Sequence, residues 1–115
     1  MIEISTYNEA GFRILHRTPG WRVAFLRYTK RFSAFTELER HLTSDEAFVL
    51  LCGSATLYTD TEQTEMKPNT VYNIPAGVWH HITVSQDATV LVIENDDVSA
   101  ENSEKRALNG GELTC

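Results

Sequence analysis

Short stretches of alternating apolar and polar side chains recur along this chain about every 8–12 residues, with turn-forming residues between them. Successive side chains of a β-strand point to opposite faces, so this alternation predicts strands that each bury one face. The spacing is typical of an all-β sandwich or barrel, and helix signals are nearly missing. About nine strands are predicted, at residues 12–16, 21–28, 37–41, 46–52, 55–59, 63–67, 71–74, 79–85 and 89–94.

The chain changes character at Asp96, after which charged and amide side chains dominate and few apolar groups are available for burial. We therefore predict one β-barrel domain over residues 1–95 and a polar C-terminal extension over residues 96–115. Within the extension, Ser99 predicts at most one short helical turn near residues 99–105, without the full chemistry of a capping box. The rest of the extension is predicted to be mobile.

Length and charge narrow the class of protein. A chain of 115 residues is enough for one hydrophobic core, and 42% apolar against 23% charged residues is ordinary for a globular domain. The net charge of −6 argues against nucleic-acid binding, which needs clustered lysine and arginine. No apolar run approaches the roughly 20 residues of a membrane-spanning helix, and the N-terminus lacks the features of a secretory signal.

The two cysteines indicate whether the protein is expected in a reducing or an oxidising compartment. Cys52 lies in an apolar strand and is predicted to be buried on its inward face, and Cys115 is the last residue. A buried strand residue and a chain end make a poor disulfide pair, so both are predicted to be free thiols. A reducing, cytoplasmic location is the resulting expectation.

Two adjacent histidines near the end of the chain fall on opposite faces of one predicted strand. His80 shares its face with Val78, Ile82 and Val84, whereas His81 shares its face with hydroxyl groups and a tryptophan. The aliphatic face is the core face. We therefore predict that His80 points into the barrel and that His81 lies on the outside.

Carboxylates and a further histidine occupy two other strands. Glu46 opens an apolar strand, where an isolated carboxylate would need a compensating partner. Glu39 and His41 share one face of the strand at residues 37–41. Two imidazoles with one or two carboxylates form a ligand set that suits iron(II), manganese, nickel, cobalt, copper or zinc. Periodicity alone leaves open an ordinary core histidine, a turn-edge carboxylate and exposed strand residues, because distant strands need not meet.

Two segments resemble the conserved motifs of the cupin family. Residues 41–53 have a histidine, four residues, a glutamate, six residues and a glycine, written His-Leu-Thr-Ser-Asp-Glu-Ala-Phe-Val-Leu-Leu-Cys-Gly. Residues 75–80, Pro-Ala-Gly-Val-Trp-His, are similar to the second motif. The resemblance covers roughly residues 35–95. It implies a double-stranded β-helix (jelly-roll) barrel in which His41, Glu46 and His80 bind one divalent transition metal.

The chain departs from the family pattern at Glu39, which stands where the first motif has another histidine. Glu39 is therefore predicted either to act as an oxygen ligand or to point to solvent and leave three ligands. A third alternative is a degenerate site without metal.

The sequence leaves two classes of function open. One is a metal-dependent enzyme acting on a small polar metabolite, with Glu46 or Glu39 as catalytic base; isomerase, dioxygenase, decarboxylase and lyase activities all occur in similar proteins. The other is a non-catalytic module that binds a small ligand, with or without metal. The resemblance also suggests a homodimer formed by the N-terminal strands, for which Phe12, Trp21 and Phe25 would supply apolar surface.

Overall fold

A computed structural model describes residues 1–108 and confirms the predicted all-β fold. Two short 3₁₀ turns, Lys30–Phe32 and Ala100–Asn102, are the helical segments within this range. The strands of the described residues are β1 (Gly11–Thr18), β2 (Trp21–Arg27), β3 (Glu37–His41), β4 (Glu46–Cys52), β5 (Ala55–Thr59), β6 (Gln63–Glu65), β7 (Tyr72–Ile74), β8 (His80–Val84), β9 (Thr89–Glu94) and β10 (Ser103–Ala107).

The strands form two five-stranded antiparallel sheets in jelly-roll order. One sheet has the order β1-β2-β9-β4-β7 and the other β10-β3-β8-β5-β6. The sheets pack together through alternate apolar side chains, because every second residue of a strand faces inward. The buried cluster between them includes Ala24, Leu26, Phe48, Leu50, Leu57, Ile82, Val84, Val90 and Val92.

The end of β4 differs from the prediction for Cys52. A register shift between Leu50 and Cys52 interrupts the pairing of β4 with β9, which is the signature of a β-bulge. The extra residue breaks the two-residue alternation, so Cys52 is exposed rather than buried. The predicted inward position of Cys52 is therefore wrong; among the described residues Cys52 is a free cysteine. Cys115 lies outside the described residues.

Gly53, the last residue of the first motif, follows directly. Its backbone has φ +76°, and a β-carbon there would lie 2.5 Å from the Cα of Ala88. Both the left-handed conformation and the close backbone contact require glycine. This position therefore lets the turn after β4 pack against the turn before β9.

The C-terminal segment is more ordered than predicted. Residues 103–107 form β10 and pair antiparallel with β3, with Ser103 opposite His41. Before β10, the side chain of Asn102 accepts a hydrogen bond from the Ser99 backbone at 2.9 Å and completes a capping box. The expectations of a mobile segment and of an incomplete capping box are thus wrong for these residues.

Polar contacts explain why a segment with so few apolar residues forms a strand. The guanidinium groups of Arg40 and Arg106 lie 4.4 and 4.7 Å from the ring centroid of Trp79. Arg40 also donates a hydrogen bond of 2.7 Å to Glu104. Cation–π and ionic contacts therefore hold β10 on β3, where a hydrophobic pattern would not have revealed it.

Within residues 1–108, no helix has the length and apolar character needed to span a membrane.

Candidate metal centre

Strand pairing brings five of the polar side chains of interest to the same end of the barrel. In one sheet Glu39 of β3 lies opposite His80 of β8. In the other sheet Glu94 of β9 lies opposite both Glu46 of β4 and Arg22 of β2. Because the two sheets face each other, these groups meet in the interior.

A turn between β7 and β8 fixes the approach of His80. The carboxylate of Asp45 accepts hydrogen bonds from the Asn73 side chain at 3.1 Å and the Ala76 backbone at 2.9 Å. The backbone N–H of Gly77 donates to the carbonyl of His41 at 2.7 Å. The residue before Glu46 and the end of β3 therefore hold the turn that leads into His80.

His41, Glu46 and His80 converge on one point. The Nε2 atoms of His80 and His41 lie 2.8 and 3.1 Å from the same Oε1 atom of Glu46. All three side chains are at least nine-tenths buried. The prediction that His80 faces inward is confirmed, and the described structure places His41 and Glu46 beside it.

The Nδ1 atoms of His41 and His80 point away from Glu46. His80 Nδ1 lies 3.0 Å from the carbonyl oxygen of Val78, which can only accept a hydrogen bond, so this nitrogen carries a proton. The Nε2 of the neutral ring then presents a lone pair to an anionic oxygen. The Nε2 lone pair of His80 and the Glu46 Oε1 atom, 2.8 Å apart, repel each other unless a proton or a cation lies near both. Two imidazole nitrogens and a carboxylate oxygen are donors that fit a divalent transition metal.

Glu39 lies at the edge of the same centre. Its Oε1 is 3.9 Å from His41 Nε2, and one ligand atom each from Glu39, His41 and His80 lie within 4.8 Å of one another. Its other oxygen is 3.8 Å from the guanidinium of Arg31, and the side chain is 24% exposed. Glu39 therefore points toward the cluster and is within reach of a shared ion.

Sequence reasoning missed Glu94 and Arg22. Both are buried, and Arg22 donates to Glu94 Oε2 through Nε at 2.7 Å and through Nη2. His41, Glu46 and Glu94 form a second group whose ligand atoms lie within 4.8 Å of one another. The sequence did contain a signal for Glu94: it continues the two-residue alternation of Val90 and Val92, which predicts that its side chain faces inward.

The carboxylates of this cluster differ in protonation. Burial and the adjacent negative charge of Glu46 raise the pKa of Glu94 to about 7, although Arg22 opposes the rise. Burial alone would raise the pKa of Glu46 as well, but hydrogen bonds from His41 and His80 hold it well below its usual range. Glu46 is therefore the stronger acid of the pair.

His81 is buried, contrary to the prediction. The 3₁₀ turn Lys30–Phe32 and the residues after it cover His81. The ring of His81 stacks on Phe32 and Phe35, with centroids 6.4 and 6.0 Å apart, and its Nε2 lies 3.1 Å from the carbonyl oxygen of Ala34. Burial lowers the pKa of His81. His16, by contrast, is exposed.

The converging side chains lie in a cavity of about 360 Å³. Its walls come from both sheets and from the C-terminal segment, and they combine aromatic side chains with several charged groups. The lining residues include Phe12, Arg22, Arg31, Phe32, Glu39, His41, Glu46, Phe48, His80, Glu94, Val98, Ser103 and Lys105.

The fold and this interior cluster together define a small jelly-roll barrel with a histidine–glutamate centre in its cavity. The profile of the cupin domain matches residues 33–94, more than half of the chain. The chain therefore belongs to the cupin family.

Similar solved structures support the same fold. A cupin-2 domain protein from Shewanella frigidimarina NCIMB 400 is 18% identical, with a TM-score of 0.64 over 77% of this chain and 84% of that one. PAC13 from Streptomyces, solved with uridine, is 12% identical, with a TM-score of 0.71 over 94% and 93%. KdgF from Halomonas sp. is 14% identical, with a TM-score of 0.63 over 84% and 90%. No curated protein sequence matches this chain.

Proposed function

We propose that this protein binds one divalent transition metal through His41, Glu46 and His80, with Glu39 as a fourth ligand, and acts there on a small polar metabolite. The observation that carries the proposal is the approach of both Nε2 atoms to one carboxylate oxygen, at 3.1 and 2.8 Å. The ligand set favours iron, manganese, nickel, cobalt, copper or zinc.

The metal would supply Lewis-acid polarisation of a substrate oxygen. The chain's own side chains would provide the rest of the chemistry. Glu46 is an anion whose hydrogen bonds from two imidazoles keep its pKa well below its usual range, so it suits a ligand better than a base. Burial and the charge of Glu46 raise the pKa of Glu94 to about 7, and we propose Glu94 as the catalytic base that accepts a substrate proton. The apolar walls from Phe32 and Phe48 limit the access of water to this base.

Cationic side chains along the cavity favour a metabolite with a negatively charged group. Arg22 is paired with Glu94, whereas Arg31 and Lys105 line the cavity near Glu39. Lys105 lies opposite Glu39 in the pairing of β10 with β3. A divalent ion would offset the charges of Glu39 and Glu46, and the two outer cations would then attract an anion.

The zinc-loaded protein should therefore prefer benzoate to benzamide, which has a similar shape and no charge. We expect about fivefold tighter binding of benzoate at low ionic strength, since one partly exposed ion pair contributes up to about 1 kcal/mol. Lys105→Met should reduce the preference, because it removes one of the two outer cations. The measurement is an NMR titration of labelled protein with each compound.

The matched control is Lys67→Met, because Lys67 is exposed and is not among the residues that line the cavity. This variant should keep the wild-type preference. Equal affinities of the wild type for both compounds, or an unchanged preference in Lys105→Met, would contradict the anionic substrate class and leave the metal proposal standing.

Metal analysis tests the ligand set. Protein purified without added metal should carry close to one transition-metal ion per chain, and stripped protein should bind added zinc, manganese, nickel or iron(II). Glu39→Gln should weaken the zinc affinity by about 10- to 100-fold if its carboxylate is a ligand. Chelator competition gives the affinities of both proteins.

Glu37→Gln is the control for Glu39, because Glu37 lies two residues earlier on the same face of β3 and within 3.7 Å of the same arginine. An unchanged affinity in Glu39→Gln removes Glu39 from the ligand set. Failure of the wild type to bind any of these metals removes the metal proposal altogether.

A metal-free small-ligand module is the second candidate. One observation favours it: the imidazoles of His41 and His80 can hydrogen-bond directly to Glu46 when they are protonated. Burial opposes this in His41, but the hydrogen bond to Glu46 and its charge raise the His41 pKa. Ligand binding that persists in metal-free protein, without turnover, would favour this candidate.

A homodimer and a cytoplasmic location stay proposals from the sequence. The side chains of Phe12 and Trp21 are 37% and 47% exposed, which supports an apolar contact surface on the sheet edge formed by β1 and β2. Sedimentation of the purified protein would establish its oligomeric state.

A further inference from the structure

One polar contact of the cluster comes from the C-terminal segment. Ser103 Oγ lies 2.8 Å from His41 Nδ1, and the pairing of β10 with β3 places the two residues directly opposite each other. Ser103 also lines the cavity. Ser103 lies outside the region matched by the cupin profile, which ends at residue 94, whereas His41 lies within it.

We propose that Ser103 is a positioning residue for the metal ligand His41. Its hydroxyl oxygen accepts a hydrogen bond from the Nδ1–H group of His41, which fixes the ring orientation and leaves Nε2 directed at the metal position. The inference rests on the proposed metal site and adds a residue that acts through the ligand rather than on the ion.

The surrounding hydrogen bonds leave the oxygen of the Ser103 hydroxyl able to accept a hydrogen bond from His41. Asn102 Oδ1 lies 3.5 Å from Ser103 Oγ and provides a distant acceptor for the hydroxyl hydrogen. The oxygen of Ser103 is then free to accept from the imidazole. The backbone N–H of Leu42 donates to the carbonyl of Asn102 at 2.8 Å, and this bond anchors the residue before Ser103 beside the end of β3.

The two histidines of the centre are oriented by different means. His80 Nδ1 faces a backbone carbonyl, that of Val78, at 3.0 Å, which no side-chain substitution removes. His41 Nδ1 faces a side chain instead. Partners of this kind commonly raise ligand basicity and hold the ring in place, and their loss reduces metal affinity without removing a ligand. A substitution at position 103 can therefore change the orientation of the His41 ring without replacing any proposed metal ligand.

The first test compares zinc affinities by chelator competition in the full-length protein. Ser103→Ala should weaken zinc binding by about 10- to 100-fold, and Ser103→Thr, which retains the hydroxyl, should stay close to the wild type. Ser85→Ala is the matched control. Its hydroxyl also holds two hydrogen bonds, of 2.9 Å from Ser54 N–H and 2.6 Å to Asp87, at a turn beyond the other end of β8. Even if Ser85→Ala loses stability in the same way, it should keep the wild-type zinc affinity, because Ser85 is not hydrogen-bonded to a proposed metal ligand.

The second test reads the hydrogen bond itself. In cobalt(II)-loaded protein, the Nδ1–H proton of a coordinated imidazole gives a strongly shifted exchangeable NMR signal. The His41 signal should exchange with solvent at least several-fold faster in Ser103→Ala than in the wild type, while the His80 signal stays unchanged. Ser103→Thr should restore slow exchange.

The outcomes separate the inference from the proposed function. Wild-type zinc affinity and unchanged proton exchange in Ser103→Ala overturn the role of Ser103 and leave the metal site intact. A wild-type protein that binds neither zinc nor cobalt overturns the proposed metal site, and the positioning role with it. Reduced affinity in Ser103→Ala together with rescue by threonine supports both.

Discussion

Replacing His80 with alanine should weaken zinc binding by about 100- to 1000-fold. A protein zinc site contributes roughly 10–16 kcal/mol, so one ligand of four accounts for about 2.5–4 kcal/mol. His80 is 4% exposed, and its Nε2 lies 2.8 Å from Glu46. Chelator competition on stripped and reloaded protein measures the affinity.

His16→Ala is the control, because His16 is an exposed imidazole of β1 outside the cavity. Its zinc affinity should equal that of the wild type. His41→Ala should show a loss similar to that of His80→Ala. Circular dichroism must show that each variant keeps its strand content. A His80→Ala protein that binds zinc as tightly as the wild type would exclude His80 as a ligand.

Replacing Glu94 with leucine should lower the free energy of unfolding by about 3–5 kcal/mol. Arg22 would then be left without its partner, although it is 9% exposed and its guanidinium cannot lose its charge at any accessible pH. Replacing Arg22 with methionine should cost less, about 1–3 kcal/mol. Burial and Glu46 raise the pKa of Glu94 to about 7, so that carboxyl can become neutral once the arginine is gone.

Urea unfolding in the presence of a chelator measures these effects without a contribution from bound metal. The double variant Arg22→Met/Glu94→Leu should recover most of the loss, because it removes both charges together. Equal costs of the two single substitutions, or a larger cost for Arg22→Met, would contradict the different ionisation of the two partners.

Much of the barrel follows from local sequence. Strands β3, β4, β5 and β9 begin and end where the strand pattern and the flanking turn residues predict. The inward position of His80 follows from the same period, since Ile82 and Val84 share its face. That Glu46 and His41 approach it was implied only by the resemblance, because local periodicity contains no information about which strands become neighbours.

The differences arise where distant residues determine the environment. His81 has the polar neighbours of an exposed residue, but Phe32 and Phe35 cover it from a separate turn. Cys52 is turned outward by a bulge that adds one residue to the alternation. Neither effect is encoded within the strand concerned.

Charged side chains account for the other missed features. Arg22 and Glu94 are buried as a pair, and each looks like an ordinary polar strand-end residue when considered alone. Residues 103–107 contain almost no apolar groups, so burial of hydrophobic surface could not predict β10. Its stability depends on pairing with β3 and on ionic contacts with partners more than sixty positions earlier, such as that of Glu104 with Arg40.

The indole of Trp79, enclosed by Arg40 and Arg106, gives the protein an intrinsic optical reporter. The two nearby positive charges alter the emission of the ring, and one of them, on Arg106, belongs to β10. Detachment of that strand would remove one charge and hydrate the ring, which changes the colour of the emitted light. Fluorescence of an unlabelled Trp21→Phe variant, in which Trp79 is the remaining tryptophan, could therefore follow the detachment of the strand that carries Ser103.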